Sequence, residues 1–202
     1  MAYVNLVVER EENIGIITLN RPPANPINLA VLNELDTVLT EWEKDKSVRA
    51  IIITGAGEKG FSAGFDLKTA GTPDGEKAMS RGQEVFSRIE KYPKPVMAAI
   101  NGYALGGGCE LSMACHFRIM LDSPAVVMGQ PEIERGIIPG WGGTQRLPRL
   151  VGKTKALEML LLGTTIRAPE ALNIGLVTRV SQPGQLMSDA KELAKALAKK
   201  AP

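Results

Sequence analysis

The stretch NGYALGGGCEL, residues 101–111, decides how this chain reads. It sets three consecutive glycines, Gly106, Gly107 and Gly108, at the opening of an apolar helix and places Glu110 in that helix's first turn. The first N–H groups of a helix have no intrahelical acceptor and lie at the positive end of its dipole, so they make a pocket for negative charge. Glycine lets another molecule approach that backbone closely. Gly107 and Glu110 are three residues apart and share a face, and helical side chains lean toward the N-terminus, so the Glu110 carboxylate is expected over the same pocket. An anion hole and an acid/base group are predicted side by side. Taken alone, the glycine run also reads as a site of close helix packing.

Outward from this stretch, strand and helix alternate. Toward the N-terminus, VMAAI reads as a buried strand, residues 76–91 as an amphipathic helix, and RAIIITG as another buried strand that leads into a glycine-rich loop ending near residue 64. Before these, Asn28 caps a helix whose apolar positions Leu29, Leu32, Leu35, Val38, Leu39 and Trp42 recur at helical spacing. The first 20 residues read as two strands, VNLVVERE and GIITLN, joined by a polar turn. Toward the C-terminus, FRIML and AVVM read as short strands, followed by GQPEIERGIIPGWGGTQRL. Helices are expected at about 143–149, 153–162 and from about Pro183 to Pro202. This pattern is α/β, in one domain spanning residues 1–202.

Composition narrows the function classes. A hydrophobic content of 44% with 23% charged residues is that of an ordinary globular protein, and a net charge of +2 argues for neither nucleic acid nor a membrane surface. Cys109 and Cys115 are six apart on one predicted helix and cannot pair with each other, which fits a reducing, cytoplasmic setting. The N-terminus has no secretory pattern and no apolar run approaches the length of a membrane span.

Three other motifs fail on inspection. GAGEKG, residues 55–60, matches the loosest dinucleotide fingerprint, but FSAGFD follows where a helix should open. GKT at 152–154 lacks the earlier glycine of a phosphate-binding loop, since Leu147 stands there. His116 is the only histidine and has no partner for a metal site or nucleophilic dyad, so a structural role is expected. What remains is glycine-rich backbone and two carboxylates, Glu110 and Glu132. The second lies in GQPE, where Pro131 suits the first position of a helix and a nearby acid favours the dipole, so a plain helix start is the competing reading.

FSAGFDLK, NGYALGGGCEL, GQPEI and GIIPGWGGTQRL, in that order, resemble the enoyl-CoA hydratase/isomerase, or crotonase, family. The resemblance covers roughly residues 5–180 and includes LNRPPANPIN and APEALNIGLVTRV. It implies a crotonase-like spiral of β-β-α repeats with two steeply crossed sheets. It also implies a homotrimer or dimer of trimers acting on acyl-CoA, with CoA as part of the substrate and no metal or other cofactor.

Carried onto this sequence, the family's oxyanion hole falls on the backbone N–H groups of Phe65 and Gly107, and its two hydratase glutamates on Glu110 and Glu132. The implied reaction is reversible hydration of a trans-2-enoyl-CoA to a 3-hydroxyacyl-CoA, with Glu110 activating water and Glu132 supplying the Cα proton. Isomerases and decarboxylases of the family often lack one of the pair. The resemblance also places Ala24, Ala63, Asp66, Leu67 and Lys68 near CoA. Lys68 reads equally as a solvated lysine, and Asp66 as the organiser of its own turn.

Departures from the family are also visible. Phe65 stands where a smaller residue is common and is expected to narrow the acyl pocket. Trp141 either shortens that pocket or fills core. Family chains continue beyond the point where this one stops, so residues 181–202 read as the truncated start of a C-terminal helical region. That leaves two rivals to the hydratase reading: a Δ3,Δ2-enoyl-CoA isomerase or related acyl-CoA enzyme, and a non-catalytic acyl-CoA-binding subunit.

Overall fold

The computed structural model describes residues 3–57 and 59–200. Strands β1 (Leu6–Glu11) and β2 (Ile14–Leu19) form an antiparallel hairpin in which Leu6 faces Leu19. Helix α1 (Leu29–Lys44) follows, capped as expected by the Asn28 side chain, which accepts a hydrogen bond from Val31 N at 3.1 Å. Its stripe of Val31, Leu32, Leu35, Val38, Leu39 and Trp42 is buried. Helical spacing of apolar residues has become a single core-facing side.

A repeating unit then begins. Each turn gives one strand to a large sheet, a second to a small sheet, and then a helix. The first turn is β3 (Ala50–Gly55), β4 (Gly60–Ser62) and α2 (Pro73–Glu90). The second is β5 (Val96–Ile100), β6 (Tyr103–Leu105) and α3 (Gly107–Ala114). The third is β7 (Phe117–Leu121) and β8 (Met128–Gly129), followed by a 3-10 turn at Pro131–Arg135 and helices α4 (Gly143–Val151) and α5 (Lys153–Leu162). The chain goes on through β9 (Thr165–Ile166), α6 (Ala168–Asn173), β10 (Arg179–Ser181) and α7 (Leu186–Ala198). The large sheet runs β1-β2-β3-β5-β7-β10 and the small one β4-β6-β8-β9. This is the expected β-β-α spiral on two sheets.

The buried strands explain themselves by alternation. Ile51 and Ile53 of β3, with Ala98 and Ile100 of β5, face the main core shared with α1, α2 and α3. Ala50, Ile52, Met97 and Ala99 point the other way, against Leu186, Ala190, Ala194 and Ala198 of α7. A strand covered on both faces needs a continuous apolar run, which is what RAIIITG and VMAAI supply.

Several expectations need correction. AVVM is not a strand: pairing starts only at Met128, because the preceding residues turn at Pro124 and Ala125. Helix α2 starts at Pro73, three residues early, since Thr72 caps it through Gly75 N and Pro73 fits the first turn. The last helix starts at Leu186 rather than Pro183, and its expected end at Pro202 lies outside the described residues, as does Glu58 within GAGEKG. Strands β4 and β6 fall in stretches read as loop or helix opening. They are three residues long, too short for periodicity to register.

Cys109 and Cys115 are free and buried. His116 Nδ1 accepts from Val96 N at 2.9 Å, and burial pushes the imidazole's pKa down, which is the structural role expected. No helix among the described residues is long and apolar enough to cross a membrane.

Candidate active site

The two glycine-rich loops meet. A Cβ added at Gly64 would lie 2.6 Å from Gly107 N, and one added at Gly107 would lie 3.3 Å from Phe65 N, so two stretches of bare backbone are in contact. Gly64 has φ +87°, and Gly106, which precedes α3, has φ +51°; both suit glycine. On each side the neighbouring groups are paired: Gly64 O accepts from Ile27 N, Asp66 N donates to Ile27 O, and Gly106 N donates to Gly129 O. The N–H groups of Phe65 and Gly107 have no acceptor among the described residues. Both residues line a cavity of about 370 Å³. Two neighbouring donors held by paired backbone are the elements of an oxyanion hole.

Glu110 lines the same cavity from the first turn of α3, at only 2% exposure. Its Oε1 accepts from Trp141 N and Gly143 N, each at 2.7 Å. Gly143 is the first residue of α4, so the carboxylate of one helix caps the start of another. Oε2 has no protein partner among the described residues. Burial pushes the Glu110 carboxyl up to about 7, against the opposing pull of these N–H bonds.

Glu132 reaches the cavity from the 3-10 turn, and its Oε1 lies 2.9 Å from where a Gly106 Cβ would stand. Burial raises its pKa as well. The buried Gln130 amide, oriented with nitrogen toward the carboxylate, donates to Oε1 at 3.0 Å and Oε2 at 3.1 Å. Both predicted glutamates are therefore brought to one cavity beside the free N–H pair.

Trp141 both lines the cavity and packs into the core. Its ring lines the cavity yet is 2% exposed, edge-on to Phe65 at 5.9 Å and to Phe86 at 5.3 Å. Nε1 donates to Ala78 O at 3.1 Å, and a Cβ at Gly82 or Gly107 would overlap the indole. Those glycines make the room that the ring occupies.

The remaining predicted residues divide. Ala63 and Leu67 line the cavity, and Ala63 N donates to Ala24 O at 2.8 Å, which ties the two expected CoA loops together. Asp66 organises its own turn, accepting from Lys68 N at 3.2 Å and pairing with Arg21 Nη2 at 2.9 Å. Lys68 is exposed and away from the cavity lining. The sequence reading missed Gln130, Arg146 and the α2 residues Gly75 and Met79 that form one cavity wall. Gln130 abuts Pro131 and Glu132, and that adjacency was the available signal.

Similarity to known proteins identifies the family. The family model for enoyl-CoA hydratase/isomerase matches residues 9–202. A short-chain-enoyl-CoA hydratase of Clostridium acetobutylicum is 48% identical, over all of this chain and 78% of that protein. A crotonyl-CoA hydratase of Syntrophomonas wolfei is 45% identical over 96% of this chain and 75% of its own length. The crystal structure of an enoyl-CoA hydratase from Bacillus anthracis superposes with a TM-score of 0.93 at 44% identity, covering 98% of this chain and 78% of that one. By this match and these identities, the chain belongs to the enoyl-CoA hydratase/isomerase family.

Proposed function

We propose that this protein reversibly hydrates short trans-2-enoyl-CoA thioesters. The observation that carries the reading is the convergence of two buried carboxylates, Glu110 and Glu132, on a cavity that also presents the free N–H groups of Phe65 and Gly107. Adding water across the double bond needs a base for the water, an acid for Cα, and a place for charge on the thioester oxygen. The N–H pair takes that charge, an effect worth roughly 3–4 kcal/mol per donor. Glu110, whose pKa lies at about 7, removes a proton from water as it attacks Cβ. Glu132, raised by burial, holds the proton delivered to Cα. Retention of both carboxylates favours hydration over isomerisation, which moves one proton between two carbons of the substrate.

The short chain is supported by the Trp141 indole, which closes the cavity against Phe65 and α2. The names of the two relatives agree. A homotrimer or dimer of trimers belongs to the same proposal, supported by Leu157, Leu161 and Leu162 lying open on α5. A cytoplasmic setting is supported by the two free cysteines. The test is loss of the conjugated-enoyl absorbance of crotonyl-CoA, run beside longer 2-enoyl and 3-enoyl thioesters. Hydration of the short 2-enoyl ester is expected to be fastest, and Trp141→Phe is expected to shift the preference toward longer chains. A faster reaction with the 3-enoyl ester would replace hydratase by isomerase. Binding without turnover would make this an acyl-CoA-binding subunit.

A further inference from the structure

The 141–143 strap that holds Glu110 is itself held from behind by a buried arginine. Arg146, on the first turns of α4, is 7% exposed. Its Nη1 donates to Trp141 O at 2.8 Å, while Nε and Nη2 donate to Glu90 Oε2 at 3.1 and 2.8 Å. Glu90 is the last residue of α2, half-exposed at the protein surface. Beside the guanidinium lies Gly142, with φ +105°, where an added Cβ would overlap Nη1. The guanidinium is thus packed against the one residue of the strap that donates nothing to Glu110, and pins the carbonyl of the residue beside it. The other two residues, Trp141 and Gly143, aim their N–H groups at one oxygen.

We infer that Arg146 is a positioning residue for the acid/base chemistry: by fixing Trp141 O to the end of α2, it keeps two backbone N–H groups converging on Glu110 Oε1. The inference rests on the hydratase reading for its kinetic consequence, although the geometry it invokes does not. A loose strap would leave Glu110 free to rotate and would weaken both bonds to its charged form. The charged groups around Glu110 are Glu132 from the 3-10 turn, which disfavours its ionisation, and Arg146 from α4, which favours it. Glu76 from α2 and Arg135 from the 3-10 turn line the same cavity. Removing Arg146 therefore acts on Glu110 in one direction by both routes, raising its pKa.

The experiment compares wild type, Arg146→Met, Arg146→Lys and, as a control, Arg149→Gln. Arg149 bonds the exposed end of its own helix turn at Gln145 O. Three quantities are read: kcat and KM for crotonyl-CoA, the acid limb of the kcat/KM pH profile, and titration of the Glu110 carboxyl by carbon NMR on glutamate-labelled protein. Arg146→Met is expected to lower kcat on the order of 10- to 100-fold, as for a misplaced catalytic group, with KM changed much less. The acid limb and the Glu110 titration both move to higher pH. Arg146→Lys, which keeps charge and loses the planar fork, falls between, and Arg149→Gln matches wild type.

A purely structural role would reduce the amount of folded enzyme and leave the limb and the titration in place, and that result would overturn the inference. If Arg146→Met does not fold, Arg146→Lys decides by the same two positions. Wild-type protein inactive on crotonyl-CoA would count against the hydratase reading, while the NMR titration would still judge the role of Arg146.

Discussion

Glu110 and Glu132 face one cavity from unlike supports. Glu110 sits on α3, a helix in which every residue is buried, and one of its oxygens is gripped by two main-chain N–H groups. Glu132 sits on a short 3-10 turn with no buried residue, and is met by the side-chain amide of Gln130. Main-chain donors cannot rotate away, whereas an amide on three rotatable bonds can. The difference suits the proposed division of labour, in which one carboxylate keeps a fixed direction toward water and the other follows the substrate carbon it would protonate.

The largest expected effect tests whether both are needed. Glu110→Gln and Glu132→Gln should each lower kcat for crotonyl-CoA by roughly 10²- to 10⁴-fold, with folding unchanged by circular dichroism. Either variant working within a few-fold of wild type would remove that carboxylate from the mechanism.

A second test separates the two by burial. A carboxyl whose folded pKa is raised stabilises the fold fully below its unfolded value, and that contribution is lost as pH rises through the folded value. For Glu110 the window runs from 4.5 to about 7. Wild type should therefore lose up to about 3 kcal/mol relative to Glu110→Gln between pH 5 and 8. Urea unfolding of the two proteins across this range would measure it, and parallel curves would mean that Glu110 titrates as if exposed.

The smallest effect concerns the softer support. Gln130→Leu removes the amide from Glu132 while keeping its bulk, and should cost roughly three- to tenfold in kcat, the worth of one hydrogen bond to a neutral, protonated carboxyl. An unchanged rate with an unchanged Tm would show that Glu132 needs no steering.

Much of this was legible in the chain, for identifiable reasons. The Asn28 cap, the α1 stripe and the two-sided strands RAIIITG and VMAAI announce themselves because burial on a helix face or on both sheet faces imposes a period or a run. The glycine run before Glu110 was readable because backbone approach and an N-terminal dipole each demand particular residue types. The small sheet was not, since β8 and β9 are two residues each and take their pairing from neighbours far along the chain. Arg146 and Gln130 were not legible either. Each acts through contacts made by α4, α2 or the 3-10 turn, and a single arginine or glutamine carries no spacing that betrays such a partner. Asp66 had two readings in sequence, and its bonds to Lys68 N and Arg21 show it organising its turn.

The free donors at Phe65 and Gly107 belong to the main chain, and this inverts the usual map of tolerance around a reactive centre. The residue that supplies a donor can exchange its side chain without deleting that donor, so Phe65 is open to variation in size and shape. Its neighbours are not: a methyl group at Gly64 would strike Gly107 N, and one at Gly107 would strike the Trp141 ring. On the proposed function, selectivity for the acyl group can therefore drift, or be engineered, through Phe65 while the N–H pair stays constant, whereas the most restrictive positions are those with no side chain at all.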